Sequence, residues 1–164
     1  MYTQIESIDI RVVSSRGNNS QNWNRVKIKV YTDQLDKINL RQGANLDLRD
    51  FNADYLVVRM YDDSRLNIEG KVNELDLYAF GSSRADLNVD AEKVKFQFTD
   101  ESRVYAYDAN IREADIDTES EARVRVSVSN YIRARADGFS SIRYKGDPNV
   151  DIRDKSRSAS ISKY

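Results

Sequence analysis

Apolar residues recur along this chain in short alternating runs, and the runs themselves recur. RLNIEG, ADLNVD, RVYAYD and ARVRVSV form one kind; NELDLYA, KVKFQF, EADIDT and YIRARA form a second. Strict alternation over a few residues marks a half-buried strand, and the Val, Ile, Tyr and Phe content agrees with that reading. Helical spacing of apolar positions is sustained nowhere. Between the runs lie Asp-Asp-Ser, Gly-Ser-Ser, Asp-Glu-Ser, Glu-Ser-Glu and Phe-Ser-Ser, small or polar groups that suit turns.

Aligned on its first inward apolar residue, the first kind of run returns at Leu46, Leu66, Leu87, Val104, Val124, Ile142 and Ile161, at intervals of 17 to 21 residues. The second returns half a period out of phase, at Leu40, Val58, Leu77, Phe96, Ile116, Ala134 and Ile152, at intervals of 18 to 20. Two strands per unit of about 19 residues, with turns too short for crossover helices, leave few architectures. A meander gives equivalent positions of successive units no reason to match. A solenoid does, because each coil buries its inward residues against the coils on either side. The expected fold is therefore all-β: a right-handed parallel β-helix of about 6–7 coils, its hand following from the crossover rule.

The outward positions test that register independently. In-register parallel strands place equivalent residues about 4.8 Å apart. The residues just before the second series read Asp76, Lys95, Asp115, Arg133 and Asp151. Alternating sign is what stacking selects, since like charges facing one another are unfavourable.

The start of the chain reads differently. SIDIRVV at 7–13 and RVKIKVY at 25–31 alternate around the polar SSRGNNSQNW, which predicts two strands forming a cap or an irregular first coil over residues 1–34. The repeat coils then occupy 35–164, so residues 1–164 make one solenoid domain, with RSASISKY as its last rung.

Composition narrows the chemistry. The chain has 164 residues, 26 basic and 27 acidic, and neither cysteine nor histidine. Disulfides, thiol nucleophiles and His-dependent triads or zinc sites are excluded. The near-neutral balance offers no footprint for nucleic acid. No apolar run approaches the roughly 18 residues of a membrane span. Met1 leads straight into polar sequence, so the chain as given shows no export signal.

Three phrases, GSSRADLNV, DESRVYAYD and GFSSIRYKGDPNV, followed by SRSASIS, resemble the head-GIN domain family of auto-transporter adhesins. The closing IRYKGDPNV is the most specific piece, with Ser140, Ile142, Tyr144, Gly146 and Pro148 on the family's pattern. The likeness covers roughly 25–164; the turns depart from the family's Ser-Gly-Ala-Ser to Asp-Asp-Ser, Asp-Glu-Ser and Glu-Ser-Glu. The resemblance implies a bacterial cell-envelope β-helix, in the periplasm or at the cell surface, with an adhesive or glycan-binding role and no catalytic motif.

Two groups of residues are candidates for binding. Tyr105 and Tyr107 are expected one coil from Arg123 and Arg125, with Arg143 a further coil on; aromatic rings beside guanidinium groups can hold sugars or acidic polymers. The same ladder is also ordinary sheet surface with cation–π contacts. Arg123, Arg125, Arg133, Arg135 and Arg143 form the densest basic stretch, with Glu113, Asp115, Asp117 and Asp137 among them to neutralise it. Asp100, Glu101, Glu119, Glu121 and Asp137 are expected along one corner as solvated turns; they are also the candidates for part of a Ca²⁺ shell, which needs six to eight converging oxygens. Beyond that ion no cofactor is expected.

The leading expectation is a non-catalytic adhesion module whose partner is a cell-surface glycan or an envelope protein. A structural scaffold assembling end to end is the alternative to a monomer, because open rung ends can pair with another chain. A polysaccharide-degrading β-helix enzyme is the third reading, but the carboxylates are spread too evenly for one pair to stand out.

Overall fold

In a computed structural model, which describes residues 7–11 and 35–164, every described element is a strand and all pair in parallel in one sheet. The strands are β1 (Ser7–Arg11), β2 (Lys37–Arg41), β3 (Asn45–Met60), β4 (Arg65–Ala79), β5 (Arg84–Phe98), β6 (Arg103–Thr118), β7 (Arg123–Ala136), β8 (Ser141–Lys145), β9 (Asn149–Lys155) and β10 (Ser160–Lys163). Each of β3 to β7 contains both kinds of alternating run. The chain bends between them without leaving the sheet, so one strand of 14 to 16 residues serves as most of a coil. Two-residue alternation breaks at the bend. In β4 the buried residues are Leu66, Ile68, Val72, Leu75, Leu77 and Ala79, and the odd step from Val72 to Leu75 restores the inward phase after the corner.

The result is a solenoid of about seven turns with a spacing of about 19 residues. Its core is one continuous hydrophobic cluster, from Leu35 and Ile38 at one end to Ile142 and Ala159 at the other. Equivalent inward residues stack rung on rung: Ile38, Val58, Leu77, Phe96, Ile116, Ala134 and Ile152. A second stack is Leu46, Leu66, Ala85, Val104, Val124, Ile142 and Ile161. Two expected anchors move by two residues. Ala85, not Leu87, lies between Leu66 and Val104, and Ile38, not Leu40, faces Val58. With these corrections both stacks step by 20, 19, 19, 20 and 18 residues over the same five coils, which closed coils require.

The turn between coils repeats its backbone. Asp62, Gly81, Asp100, Ser120 and Gly138 all adopt positive φ, between 58° and 70°. Glycine occupies this left-handed region freely and Asp tolerates it. Two residues later comes an inward position, Ser64, Ser83, Ser102, Ala122 and Ser140, every one buried. The Ser64 hydroxyl donates to the Tyr61 carbonyl at 2.6 Å, and Ser83 donates to the carbonyls of Phe80 and Asp62 at 2.8 and 3.1 Å. Ser64 and Ser83 thus close their corners from inside, whereas the equivalent Ser102 hydroxyl is buried without a partner and Ala122 has none to offer.

At the start of the chain, β1 pairs with β2 in parallel, Ile8 on Ile38 and Ile10 on Leu40. The run at 25–31 lies outside the described residues. At the other end RSASISKY supplies β10 on β8, as expected, while β9 continues β7. Ile152 occupies a core position in β9 and is 51% exposed, because no further coil among the described residues covers it.

Candidate functional site

The outward side chains divide into two faces whose charges are arranged differently. On the face built by the second half of each long strand, the alternation expected from sequence holds: Asp76 faces Lys95, Lys95 faces Asp115, Asp115 faces Arg133 and Arg133 faces Asp151. Arg133 lies 3.7 Å from Asp115 and 3.6 Å from Asp151. Tyr131 donates a hydrogen bond to Asp151 at 3.0 Å, and together with Arg153 it holds that carboxyl below the usual range. In the neighbouring column Arg135 contacts Asp117 at 3.2 Å, Glu119 at 3.1 Å, Asp137 at 3.8 Å and Asp154 at 4.0 Å. The two arginines in these columns of β7 thus both meet carboxylates of neighbouring rungs.

The face built by the first half of each strand is different. Tyr105, Arg125 and Arg143 share one column in register, and Arg123 stands beside them, between Arg103 and Ser141. Four of the five residues expected to form a ligand surface are thus brought together. The fifth, Tyr107, lies near enough to Arg125 and Arg143 for their charge to act on its phenol, and its ring also meets the Lys145 ammonium, 4.4 Å from the centroid, and the Tyr164 ring at 5.3 Å. Burial raises the Tyr107 phenol above its ordinary pKa.

Tyr105 is itself enclosed by guanidinium groups. Arg84 of the preceding coil lies 4.5 Å from its ring centroid and Arg125 of the following coil 5.2 Å. The rings of both tyrosines are therefore engaged within the protein, and the column that holds Tyr105 runs from the acids Asp47 and Asp86 on one side to the cations Arg125 and Arg143 on the other. Among the described residues, Arg123, Arg125 and Arg143 have no carboxylate within 4.0 Å. Of the basic stretch read from sequence, only Arg133 and Arg135 are neutralised by neighbouring rungs.

The residues missed from sequence are Arg65, Arg84 and Arg103. They pair in one column with Arg123: Arg65 on Arg84, Arg84 on Arg103, Arg103 on Arg123. Anchoring the third coil on Leu87 puts Asp86 in this column and hides the run of like charge.

The acidic corner spreads over three columns. Asp100 accepts a hydrogen bond from the Gly81 amide at 3.0 Å, as Asp62 does from the Gln42 amide at 3.0 Å, so both carboxylates brace turns of the preceding coil. Glu119 and Asp137 turn to Arg135, and Glu101 and Glu121 are exposed. Among the described residues no group of three or more acidic side chains converges as a metal ion requires.

A family model described as "Putative auto-transporter adhesin, head GIN domain" matches residues 4–148. The chain belongs to the head-GIN domain family. The match starts earlier than the likeness read from sequence, so the N-terminal residues before 25 fall within it, and it ends at Pro148 of the closing motif. A solved structure, a putative adhesin from Parabacteroides merdae, is similar with a TM-score of 0.64 and 16% identity; the likeness covers 81% of this chain and 65% of that one. At that identity the similarity concerns the fold. No curated protein matches the chain. Membership in the head-GIN family points to an adhesion-type module at the cell surface or envelope. No helix among the described residues of this head-GIN domain is long and apolar enough to cross a membrane.

The closing family motif has a structural reason at Gly146. With φ of 93°, its backbone passes so close to β7 that an added Cβ would stand 2.1 Å from the Val128 carbonyl oxygen.

Proposed function

We propose that this head-GIN domain is a non-catalytic envelope adhesion module that binds a surface glycan on the face carrying Tyr105, Arg123, Arg125 and Arg143. The observation that carries the reading is the contrast between faces: Arg133 and Arg135 are ion-paired, whereas Arg123, Arg125 and Arg143 project without a carboxylate partner among the described residues. Unpaired, planar donor groups on a rigid sheet are suited to recognising acidic or hydroxyl-rich ligands. The carboxyls with displaced acidity, Asp47, Asp147 and Asp151, are all lowered, the opposite of what a general acid needs near neutrality. A glycan array combined with retention on bacterial envelope fractions tests the reading. Binders above background that weaken on Arg125→Gln are expected; an empty array and no retention would overturn it.

The scaffold alternative rests on the exposed Ile152 and on β9 and β10, each of which pairs on one side only among the described residues. Static light scattering at increasing protein concentration decides it, since a constant monomer mass sinks end-to-end assembly.

A further inference from the structure

The column through Arg65, Arg84, Arg103 and Arg123 breaks the rule that the other face obeys. There, opposite charges alternate; here the backbones of four arginines stack in register at the rung spacing of about 4.8 Å, an arrangement in which directly opposed like charges weaken a sheet. Only Arg84 is compensated, by a two-point contact with Asp86 at 2.8 and 2.9 Å. Arg65, Arg103 and Arg123 have no carboxylate within 4.0 Å among the described residues. The acids nearest along the chain, Asp63, Glu101 and Glu121, stand two residues earlier on the exposed turns and form no ion pair with them. Arg125 and Arg143 extend the pattern in the next column.

The spacing and chemistry of this lattice specify its counterpart. Each coil offers a planar fork that matches a carboxylate or sulfate in two-point geometry. The forks repeat along the solenoid axis at an interval comparable with one sugar residue of an extended chain. A single-stranded nucleic acid would instead use open aromatic platforms for its bases, but Tyr105 is flanked by Arg84 and Arg125, and Tyr107 by Lys145 and Tyr164.

We propose that Arg65, Arg84, Arg103 and Arg123, with Arg125 and Arg143, bind an extended acidic polysaccharide along the solenoid axis, one anionic group per coil. This deepens the glycan-binding reading and rests on it. The ligand supplies the counter-charge that the column lacks.

The test is fluorescence anisotropy of the full chain with labelled polygalacturonate oligomers and dextran sulfate as probes and neutral dextran as control. The Arg103→Gln, Arg123→Gln double variant should weaken binding of the acidic probes about tenfold or more, while Lys95→Gln, on the other face, leaves it unchanged. Binding should fall steeply with added salt, as for any polyanion held by cations. Far-ultraviolet circular dichroism and thermal melts verify that both variants keep the fold. Equal affinity for neutral dextran, an unchanged double variant, or preference for a single-stranded oligonucleotide of the same charge would each overturn the proposal. Failure to bind any acidic probe with envelope retention intact sinks the lattice and leaves adhesion standing; the reverse pattern sinks adhesion alone.

Discussion

Arg103 of β6 lies directly opposite Arg84 of β5 in the parallel register, and both side chains point away from the core. Arg123 faces Arg103 from the next coil. Arg103 is therefore the one residue of the column with like charge on both sides and no carboxylate partner among the described residues.

Arg103→Gln is expected to raise stability, or leave it unchanged, by up to about 0.5 kcal/mol in low salt, because opposed like charges cost a few tenths each. Urea melts of the free protein measure it, and the gain should shrink as salt screens the column. A loss above about 1 kcal/mol would show that the arginines serve the fold.

The inward serines of the turns should not be equivalent. Ser83 shares its hydroxyl hydrogen between two carbonyls from a buried position, whereas the buried Ser102 hydroxyl has no partner. Ser83→Ala should cost about 1 kcal/mol, while Ser102→Ala should be neutral or stabilising, since it removes an unsatisfied polar atom. Equal losses in denaturant melts would contradict the assignment of the corner bonds.

Gly146→Ala should cost about 2–3 kcal/mol, combining positive φ with a Cβ placed 2.1 Å from the Val128 carbonyl oxygen. Gly70→Ala meets a similar obstacle, with the Phe51 carbonyl oxygen at 2.0 Å. Gly43→Ala is the control: it shares positive φ, at 72°, but nothing lies within 4 Å. Comparable losses in all three would assign the effect to backbone conformation alone.

Stability should be flat across neutral pH and fall in acid. The chain has no histidine, so few groups titrate between about pH 5 and 8. Asp47, held low by Arg49 and Asn67, Asp147, by Lys163, and Asp151, by Tyr131 and Arg153, all lie below the ordinary range of an aspartate. A depressed carboxyl contributes fully above its unfolded pKa and loses that contribution as pH drops through the folded value. The decline should thus begin near pH 4 and continue below it. Thermal melts from pH 8 to pH 2 check this; a marked loss between pH 8 and pH 6 would contradict it.

The Asp76, Lys95, Asp115, Arg133, Asp151 ladder was legible because its anchors, Leu77, Phe96, Ile116, Ala134 and Ile152, are unambiguous inward residues in the correct register. The arginine column was not, and the cause is specific. Alternation repeats every two residues, so a slip of two leaves every side chain on its proper face. In ADLNVD either Ala85 or Leu87 can serve as the inward anchor, and the larger residue is the more conspicuous. The turn decides: Gly81 takes the left-handed position and Ser83 the buried corner, which sets Arg84 against Arg65 and Ala85 against Leu66.

The sequence alone determined the solenoid, its two stacks of inward residues and the charge alternation of one face, because these follow from periodicity and each coil repeats the same local demands. Tertiary structure decided which outward residues are neighbours. It closed Arg84 and Arg125 around Tyr105, set Lys145 against the Tyr107 ring, and gave Arg135 the acids expected at the corner. Those contacts depend on register at the turns and on the reach of long side chains between coils, quantities that a period of about 19 residues does not contain.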